Sequence, residues 1–386
     1  MLSFTSLNKY LSLSSLFCVL ILLVINTSAN AQTLKHKPQK HVIIGYVGGY
    51  RGLIDTALVH ANKLTIVNYA FVDVQNNRAW LTNMKTDTVN FRYLESLKKT
   101  NPDIKIVISI GGWSWSKHFS DAVLTDSSRL EFAVSAAAIV RQYHLDGIDI
   151  DWEYPGQVGD GNTFRPEDKQ NYTLMFRDLR AQLDEIAKET GKKMLLTAAV
   201  GGSKDFVEHT EMGEAAKYLD YVNLMTYDFS EGNVIAMHHT NLYASKKYAG
   251  HDWADNTVSF FEEAGVPASK LVMGVAFYGH SSIVADAKNY GLGSKIQPGR
   301  AHGGGYTFIK DSLVNQKGFK YYRDHHAKAP YLFNASTKQL ISYDDEWSVK
   351  NKCRYVNKKD MGGVMFWEYS SDKKEYLLDE INQDLK

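Results

Sequence analysis

The chain has 386 residues, of which 44% are hydrophobic and 23% charged, and its formal net charge is +1. This composition is globular and excludes a disordered chain, while the length fits two domains or one α/β barrel. The near balance of basic and acidic residues gives no electrostatic basis for binding nucleic acid or an anionic membrane. The sequence contains no short-period repeat, which excludes fibrous and solenoid folds.

The first 31 residues are predicted to be a cleavable signal peptide. Lys9 is their only charged residue, an apolar run follows over 16–25, and an Ala-Asn-Ala sequence offers a cleavage site after Ala31. An uncleaved anchor is the alternative, but this apolar run is short for the roughly 20 residues that span a bilayer. A linker is predicted over 32–40, so the mature protein is expected to be secreted or periplasmic, with no membrane segment.

Short apolar runs of β type alternate with longer amphipathic runs from His41 onward. The helical runs include 94–99, 127–143 and 171–188. Eight β/α repeats in one chain predict the α/β class and a TIM (β/α)8 barrel over 41–386. The predicted strands cover 42–48, 64–72, 105–112, 145–153, 194–202, 220–228, 270–279 and 362–369.

One interval interrupts this alternation. About 80 residues separate the seventh predicted strand from the eighth, far more than a crossover needs. The segment is rich in Gly and aromatic residues, which argues against the alternative of a disordered loop. We therefore predict a small α+β insertion over 281–343, between strand seven and helix seven. Because it leaves the C-terminal end of a barrel strand, it is expected beside the active-site face.

The strongest chemical signal is DGIDIDWEYP, over 146–155. Side chains of a strand alternate between its faces, so Asp149, Asp151 and Glu153 are predicted to point the same way, into the barrel. Crowding and partial burial raise the pKa of at least one of three such carboxylates. A carboxylic acid that stays protonated near neutral pH can act as a general acid.

Two other interpretations of this acidic strand were weighed against a catalytic one. The first is a solvated edge strand, which the alternating Ile148, Ile150 and Trp152 disfavour because they belong to a central strand. The second is a divalent cation site, since carboxylates suit hard cations, but no His or Asn nearby in sequence completes a ligand set. Asp146 has the opposite parity and is predicted to be structural.

The motifs together resemble those of glycoside hydrolase family 18 chitinases, bacterial type, with an α+β insertion domain. DGIDIDWE fits the D-x-x-D-x-D-x-E signature of that family on barrel strand four. Four further motifs fit in the same order along essentially the whole mature chain. These are SIGGW at 109–113, MTYD at 225–228, FYG at 277–279 and GGVMFWEYSSD at 362–372.

The resemblance implies specific roles for the acidic strand and for one phenol. Glu153 matches the general acid and base, and Asp151 matches the residue that hydrogen-bonds the acetamido N–H of the substrate. Asp149 matches an inner carboxylate coupled to Asp151. Tyr227 matches the phenol that bonds the acetamido carbonyl. The nucleophile would be the acetamido oxygen of the substrate, as in substrate-assisted families.

The resemblance also implies a set of sugar-binding side chains. Trp367 would form the floor under the sugar at the cleavage site, and the other members would line the walls. Three departures from the family pattern stand out: Tyr50 where some relatives have Trp, His280 where Arg is frequent, and Ala276 where Pro is frequent. The implied binding residues are Trp367, Asp228, Met225, Tyr46, Phe71, Trp113, Tyr154, Tyr278 and Tyr50.

The expected function is therefore a secreted chitinase that cleaves β-1,4-linked N-acetylglucosamine chains with retention. Its partner would be chitin or chitooligosaccharides, and it would act as a monomer without a cofactor or metal ion. An endo-β-N-acetylglucosaminidase acting on N-glycan cores is the second interpretation. A non-catalytic chitin-binding lectin is a third, which the presence of Glu153 disfavours.

Other residues with chemical potential receive structural predictions. The pairs 238–239 and 325–326 are each His-His, and both are expected at the surface. Asp344 and Asp345 follow the predicted insertion and are expected to close a turn. Cys353 would be the single cysteine of the mature chain and is expected to be a buried thiol.

Overall fold

The protein is described by a computed structural model over residues 41–55, 58–232, 234–299 and 303–385. The predicted signal peptide over 1–31 and linker over 32–40 lie outside the described residues. Among the helices of the described part, none combines the length and the apolar character that a membrane crossing requires.

Fourteen strands in the described residues form two sheets, numbered here in chain order. They are β1 (Val42–Gly48), β2 (Ile66–Gln75), β3 (Arg78–Trp80), β4 (Lys105–Gly111), β5 (Gly147–Asp151), β6 (Leu195–Gly201), β7 (Tyr221–Met225), β8 (Leu271–Ala276), β9 (Gly279–Val284), β10 (Ile296–Gln297), β11 (Phe319–Asp324), β12 (Ala329–Asn334), β13 (Gln339–Tyr343) and β14 (Gly363–Trp367).

The first sheet is a closed parallel barrel. Its strand order is β1-β14-β8-β7-β6-β5-β4-β2, and the ring closes because β1 pairs with both β14 and β2. Strand β3 adds an antiparallel edge to β2. The eight barrel strands lie where the sequence predicts them, and the TIM-barrel prediction is confirmed. Most of the observed strands are shorter than the predicted runs because several runs extend into the loops at the barrel mouth.

Helices connect the strands around the outside of the barrel. Short 3-10 helices occur at 49–51, 61–63, 97–99, 113–115, 268–270, 288–291 and 369–371. The α-helices of the described residues are α1 (Met84–Ser96), α2 (Phe119–Ala122), α3 (Asp126–Tyr143), α4 (Asp168–Thr190), α5 (Lys204–Glu208), α6 (Met212–Ala215), α7 (Ala254–Glu263), α8 (Tyr306–Ser312), α9 (Glu346–Lys359) and α10 (Tyr376–Asp384).

Local signals explain why one long helix was well predicted and another was not. Helix α3 begins after a capping box in which Thr125 and Ser128 exchange side-chain and backbone hydrogen bonds. Helix α1 was predicted only at its end, over 94–99. Its buried face includes Asp87 and Asn90, whose polarity hides the apolar spacing. Both contact the Tyr69 hydroxyl, Asp87 accepting at 2.6 Å and Asn90 donating at 3.3 Å.

The core has two layers, one inside the barrel and one between the strands and the helices. On β5, Ile148 and Ile150 pack in the outer layer with the helices. The inner layer includes Ile44, Val107 and Met365. Because β5 is buried along its whole length, the alternating aspartates of this strand must point into the barrel. This excludes the solvated-edge interpretation.

The second sheet is antiparallel, with the strand order β10-β9-β13-β12-β11. It encloses a small core that includes Val284, Leu292 and Phe333. Along the chain, α8 comes between β10 and β11. Only two residues separate the end of β8 from the start of β9. The sheet therefore starts at the C-terminal mouth of the barrel, on the face that carries active sites in this fold.

Asp344 and Asp345 do more than close a turn, which corrects the sequence prediction. Asp344 is fully buried, and its carboxylate accepts from Lys352 Nζ at 2.6 Å and from Thr240 Oγ1 at 2.9 Å. Asp345 caps α9 by accepting from the backbone N–H of Ser348 at 2.9 Å. The pair therefore joins the end of β13, the start of α9 and the loop after β7.

Two predicted structural residues lie as expected. Cys353 is buried and unpaired on α9, and burial raises the pKa of its thiol well above the usual range. Asp146 precedes β5 and accepts from the backbone N–H of Ile106 at 2.8 Å, while Lys98 lies 2.6 Å from the same carboxylate. Both residues stabilise the barrel away from its mouth.

Candidate active site

A cavity of about 610 Å3 opens at the C-terminal mouth of the barrel. Four of its lining residues, Gly111, Asp151, Met225 and Trp367, are the last residues of their strands. The predicted binding and catalytic residues all line it except Tyr46 and Asp149, which lie behind it. The lining residues are Tyr50, Phe71, Gly111, Trp113, Ser114, Trp115, Asp151, Glu153, Tyr154, Met225, Tyr227, Asp228, Glu231, Tyr278, His280 and Trp367.

Asp149 is fully buried and has a complete set of neutral donors. Its carboxylate accepts from Tyr46 Oη at 2.9 Å and Ser109 Oγ at 2.8 Å. It also accepts from Thr197 Oγ1 at 2.5 Å and Asn223 Nδ2 at 3.1 Å. These donors come from β1, β4, β6 and β7, which converge only because the barrel closes. Burial raises the pKa of Asp149, and its four donors oppose the rise without cancelling it.

Asp151 lies one step closer to the mouth and is far less well satisfied. The carboxylate is 4% exposed, and its Oδ1 atom has no hydrogen-bond partner among the described residues. Burial and the negative charges of Glu153 and Asp149 raise the pKa of Asp151 well above its usual range. Asp151 lines the cavity, and a buried oxygen without a partner favours a polar group beside it.

A glycine permits this close packing. A Cβ atom at Gly111 would lie 2.2 Å from the backbone oxygen of Asp151, and Gly111 has a φ of +110°. Any other residue at this position would therefore require a shift of the backbone. Strand β4 can therefore run close enough to β5 to place the SIGG segment beside the carboxylates.

Glu153 lies beyond the regular strand, which differs from the prediction of a strand through 153. Strand β5 ends at Asp151. The backbone N–H of Glu153 instead donates to Ser116 Oγ at 2.9 Å, and the buried Trp152 stacks on Phe119 at 5.2 Å. These contacts fix the segment, and the Glu153 side chain lines the cavity as predicted.

The electrostatic surroundings of Glu153 keep it protonated near neutral pH. Burial, with added repulsion from Asp228 and Glu231, raises the pKa of Glu153 to about 8, although a hydrogen bond to Tyr154 opposes the rise. A carboxyl group with this pKa can donate a proton to a leaving oxygen at neutral pH. The site thus contains a proton donor beside a buried carboxylate, the arrangement that general-acid cleavage requires.

Tyr227 supplies a second donor to the same cavity. Its side chain is 9% exposed, and its hydroxyl lies 3.8 Å from Met365 Sδ. Burial and the nearby charges of Asp151 and Asp228 raise the pKa of Tyr227 well above its usual range. The phenol therefore remains protonated and can donate a hydrogen bond to a bound group.

One side of the cavity is built from stacked aromatic rings. Trp367 lies parallel to Phe71 at 5.4 Å and to Tyr50 at 6.3 Å. Tyr46 was expected on the wall, but it is 1% exposed and packs behind Trp367 at 5.7 Å. Its hydroxyl supports Asp149 instead, so its position is that of a supporting residue and not of a wall residue.

Two tryptophans and a tyrosine line another part of the cavity, and Trp115 joins it to the first group by meeting Phe71 edge to face at 6.4 Å. Trp113 is 49% exposed and meets Tyr154 at 6.3 Å, edge to face. The sequence left open whether Trp113 or Trp115 faces the groove, and both do. They belong to one 3-10 helix after β4, whose tight turn allows both rings to reach the same space.

Asp228 anchors a third wall. It has a φ of +62°, a conformation that short polar side chains tolerate. Its Oδ1 atom accepts from Tyr278 Oη at 2.5 Å, and His280 Nε2 lies 2.7 Å from the same oxygen. His280 therefore makes a polar contact with Asp228 although Arg is frequent at its position in the family. His239 Nδ1 lies 3.5 Å from this oxygen.

The pKa of Asp228 on this wall is shifted in the direction opposite to the pKa values of Asp149 and Asp151 near β5. Burial alone would raise the pKa of Asp228, but the imidazoles of His239 and His280 hold it well below its usual range. Burial lowers the pKa of His239 to about 4. Burial also opposes charge on His280, but Asp228 and Glu231 outweigh it and raise the pKa of that imidazole. Asp228 therefore remains an anion.

The prediction of surface His-His pairs was right for one pair and wrong for the other. His325 and His326 are exposed. His238 and His239 are buried because the loop after β7 turns inward between the barrel and the second sheet, where His238 Nε2 lies 3.5 Å from Asp324 Oδ2. Sequence reasoning also missed Ser114 and Glu231, which line the cavity from loops outside the five motifs.

Comparisons with known proteins identify the family of this chain. The family model described as glycosyl hydrolases family 18 matches residues 42–372. Chitinase A1 of Niallia circulans is 36% identical, with 89% of this chain and 58% of that protein covered. Chitotriosidase-1 of Mus musculus is 34% identical, with 81% of this chain and 68% of that protein covered.

A solved structure gives the same result at the level of the fold. It is described as a glycoside hydrolase family 18 N-acetylglucosaminidase from Paenibacillus barengoltzii, and it matches with a TM-score of 0.84 at 38% identity. The match covers 89% of this chain and 100% of the other. The chain therefore belongs to glycoside hydrolase family 18.

Proposed function

We propose that this glycoside hydrolase is a secreted chitinase that cleaves β-1,4 linkages between N-acetylglucosamine units with retention of configuration. One observation carries the proposal: Glu153, whose pKa is raised to about 8, shares a single cavity with the buried carboxylate of Asp151 and the phenol of Tyr227. The proposal of secretion rests on the N-terminal sequence alone.

In the first step, Glu153 donates its proton to the glycosidic oxygen, and the bond from that oxygen to C1 breaks. The carbonyl oxygen of the substrate's own 2-acetamido group bonds to C1 and forms an oxazolinium ion, so no protein carboxylate attacks the sugar. Because this nucleophile is already attached to the reacting ring, little further entropy is lost on reaching the transition state.

The neighbouring groups orient the acetamido group. The unsatisfied oxygen of Asp151 is suited to accept from the acetamido N–H, and Tyr227 is suited to donate to the acetamido carbonyl. In the second step Glu153, now ionised, takes a proton from water while the water oxygen bonds to C1 and the bond from C1 to the acetamido oxygen breaks, which restores the acetamido group. Asp149, held by its four donors, limits how much negative charge Asp151 can carry, because burial and mutual repulsion disfavour two adjacent anions.

The aromatic rings suit a sugar ring more than a charged ligand. Trp367 offers an indole face for an apolar pyranose face, with Phe71 and Tyr50 stacked alongside. Trp113 and Trp115 extend the apolar lining toward the leaving side, and Asp228 offers an anionic acceptor for sugar hydroxyls. A linear chain of N-acetylglucosamine units would use all of these surfaces.

The relatives support chitin as the substrate class, since two are named a chitinase and a chitotriosidase. The chain spans 58% of the length of Chitinase A1. The solved structure from Paenibacillus barengoltzii is described as an N-acetylglucosaminidase, which favours a second candidate: release of N-acetylglucosamine units by the same chemistry. The endo-β-N-acetylglucosaminidase activity on N-glycan cores is kept as a third.

The test is the product profile from a chitin hexamer, followed by mass spectrometry in wild type and Glu153→Gln. The substitution preserves shape but removes the proton, so hydrolysis is expected to fall by about 1000-fold or more, while oligosaccharide binding persists. Glu208→Gln, in an exposed pair with Lys204, is the matched control and should hydrolyse normally.

Each outcome of this assay distinguishes the candidates. Dimers and trimers would indicate chitinase action, whereas monomers alone would indicate an N-acetylglucosaminidase. An intact hexamer with wild type would overturn both and direct the assay to glycoprotein glycans. Proton NMR of the first products tests retention, because the β anomer must appear before mutarotation. Unchanged turnover in Glu153→Gln would remove Glu153 from its role.

A further inference from the structure

The wall around Asp228 brings together three side chains that are common metal ligands. A carboxylate oxygen of Asp228 and one ring nitrogen each of His239 and His280 all lie within 4.8 Å of one another. Four ligands around Zn2+ at about 2.0–2.1 Å are separated by roughly 3.3 Å in a tetrahedron. The observed separations from Asp228 Oδ1, 2.7 Å to His280 Nε2 and 3.5 Å to His239 Nδ1, bracket that value.

A second observation points to a ligand at this place. His239 is fully buried, and neither of its ring nitrogens makes a hydrogen bond with the described residues. A buried imidazole without a partner is costly unless something satisfies it. Its Nδ1 atom lies 3.5 Å from Asp228 Oδ1, so a cation between them would give a partner to this nitrogen and to the carboxylate together.

The site is open to an incoming ion. The side chains of Asp228 and His280 are 36% and 30% exposed, respectively, and both line the cavity, so an ion would enter from solvent without opening the fold. Glu231 Oε1 lies 3.7 Å from His280 Nε2 and can provide a fourth ligand atom, the second oxygen of the set. Because His239 comes from the loop after β7 and His280 from β9, the cluster joins the barrel to the second sheet.

We propose that Asp228, His239 and His280 form a binding site for a divalent transition metal ion of the Zn2+ type, and that the bound ion inhibits the enzyme. The ion would replace the proton between His280 and Asp228 and take up the carboxylate that otherwise faces the sugar. Two imidazoles and a carboxylate suit Zn2+, Co2+, Ni2+ and Cu2+, whereas Mg2+ and Ca2+ prefer oxygen ligands. The ion has no role in the proposed reaction.

The matched variant is His280→Arg, which removes the imidazole ligand but keeps a positive charge at this position. His280→Arg leaves a cation beside Asp228, yet a guanidinium has no lone pair to donate to a metal. His325→Ala, at an exposed histidine far along the chain, is the control for general loss of a histidine. Circular dichroism and thermal unfolding establish that each variant is folded, and His280→Gln serves as a second ligand-free variant.

The experiment is calorimetric titration of the full mature chain with Zn2+ alone. Wild type and His325→Ala are expected to share one site that His280→Arg and His280→Gln bind at least about tenfold more weakly. Equal affinity in wild type and His280→Arg would overturn the proposal, as would the absence of any site in wild type up to millimolar Zn2+. A parallel titration with Mg2+ should show no such site.

Inhibition is measured separately because it rests on the proposed function, whereas metal binding does not. With the chitin hexamer as substrate, Zn2+ should raise KM more than it lowers kcat in wild type, and His280→Arg should need at least about tenfold more Zn2+ for the same effect. Binding without inhibition would overturn the inhibitory role. If no oligosaccharide is hydrolysed at all, the proposed function fails, and the calorimetric result still decides the metal site.

Discussion

Two walls of one cavity shift the pKa of their carboxyl groups in opposite directions. Beside β5, Asp149 and Asp151 are surrounded by neutral donors or by other acids, and the pKa of each is raised. On the facing wall, Asp228 is equally part of the mouth, but His239 and His280 hold its pKa well below its usual range. Burial raises the pKa of all three carboxyl groups, and only Asp228, the most exposed of them at 36%, has imidazole partners that outweigh burial.

This difference separates two chemical roles. The group near β5 can hold and pass a proton, because its pKa values lie above those of ordinary acids. The wall with the histidines provides a fixed anion that can contact hydroxyls or a cation but cannot donate a proton near neutral pH. Five predicted outcomes, the Glu153→Gln experiment included, can break or sharpen this contrast.

After Glu153→Gln, the largest loss of activity is expected for Asp151→Asn. An amide cannot share a proton with the acidic group, and it presents an N–H where the acetamido N–H requires an acceptor. We expect kcat on a chitin tetramer to fall by about 100-fold or more. Asp184→Asn, in an exposed ion pair with Arg180, is the control. Near-normal kcat in Asp151→Asn would show that the raised pKa at this position has no catalytic use.

Asp344, a buried carboxylate away from the cavity, tests whether a cationic partner can contribute to stability alone. Lys352→Met leaves the fully buried Asp344 without its cation, and the free energy of unfolding in urea should fall by about 3–5 kcal/mol. Lys350→Met, on the same helix but in partly exposed pairs with Glu380 and Asp384, should cost far less. Equal losses would mean that burial of the Lys352 pair adds nothing. The pH profile of activity should not change.

A smaller effect is expected from Tyr227→Phe. The ring remains, but the hydroxyl that would donate to the acetamido carbonyl is lost. We expect kcat to fall by about 10- to 100-fold with a smaller change in KM. Tyr322→Phe, on the second sheet, controls for loss of a hydroxyl. A raised KM with normal kcat would contradict a role in the chemical step.

The smallest effect concerns the pH profile. Glu153 must be protonated to donate, so kcat/KM should fall as the pH rises above its pKa of about 8. The negative charge of Glu231 helps to raise that pKa. Glu231→Gln should therefore move the alkaline limb to lower pH, by less than about one unit. A shift to higher pH would contradict the assignment of the limb to Glu153.

Much of the site could be predicted because it follows from strand parity. Asp149 and Asp151 point into the barrel because Ile148 and Ile150 must pack outward, a consequence of alternation along β5. The aromatic rings of Trp367 and Trp113 stand at strand ends that all parallel barrels direct to one mouth. For the two aspartates, alternation and the fold class together are sufficient, whereas the roles of Trp367 and Trp113 were implied by the resemblance to the family.

Other features could not be predicted because they depend on contacts between distant segments. Tyr46 was expected to touch the sugar, but its hydroxyl reaches Asp149, 103 positions away in the chain. His239 was expected at the surface, but the second sheet covers the loop that carries it. No local pattern distinguishes a buried histidine in a loop from an exposed one.

The sequence by itself determined the order of the strands, the acidic face of β5 and the membership of the family, because periodicity and motifs are properties of neighbouring residues. Only the tertiary structure decided which carboxylate accepts from neutral donors, which one pairs with Lys352 and which one contacts histidines. The physical reason is that a pKa depends on charges and burial within a few ångströms in space. Barrel closure and the second sheet set those neighbours, and the order of residues along the chain does not.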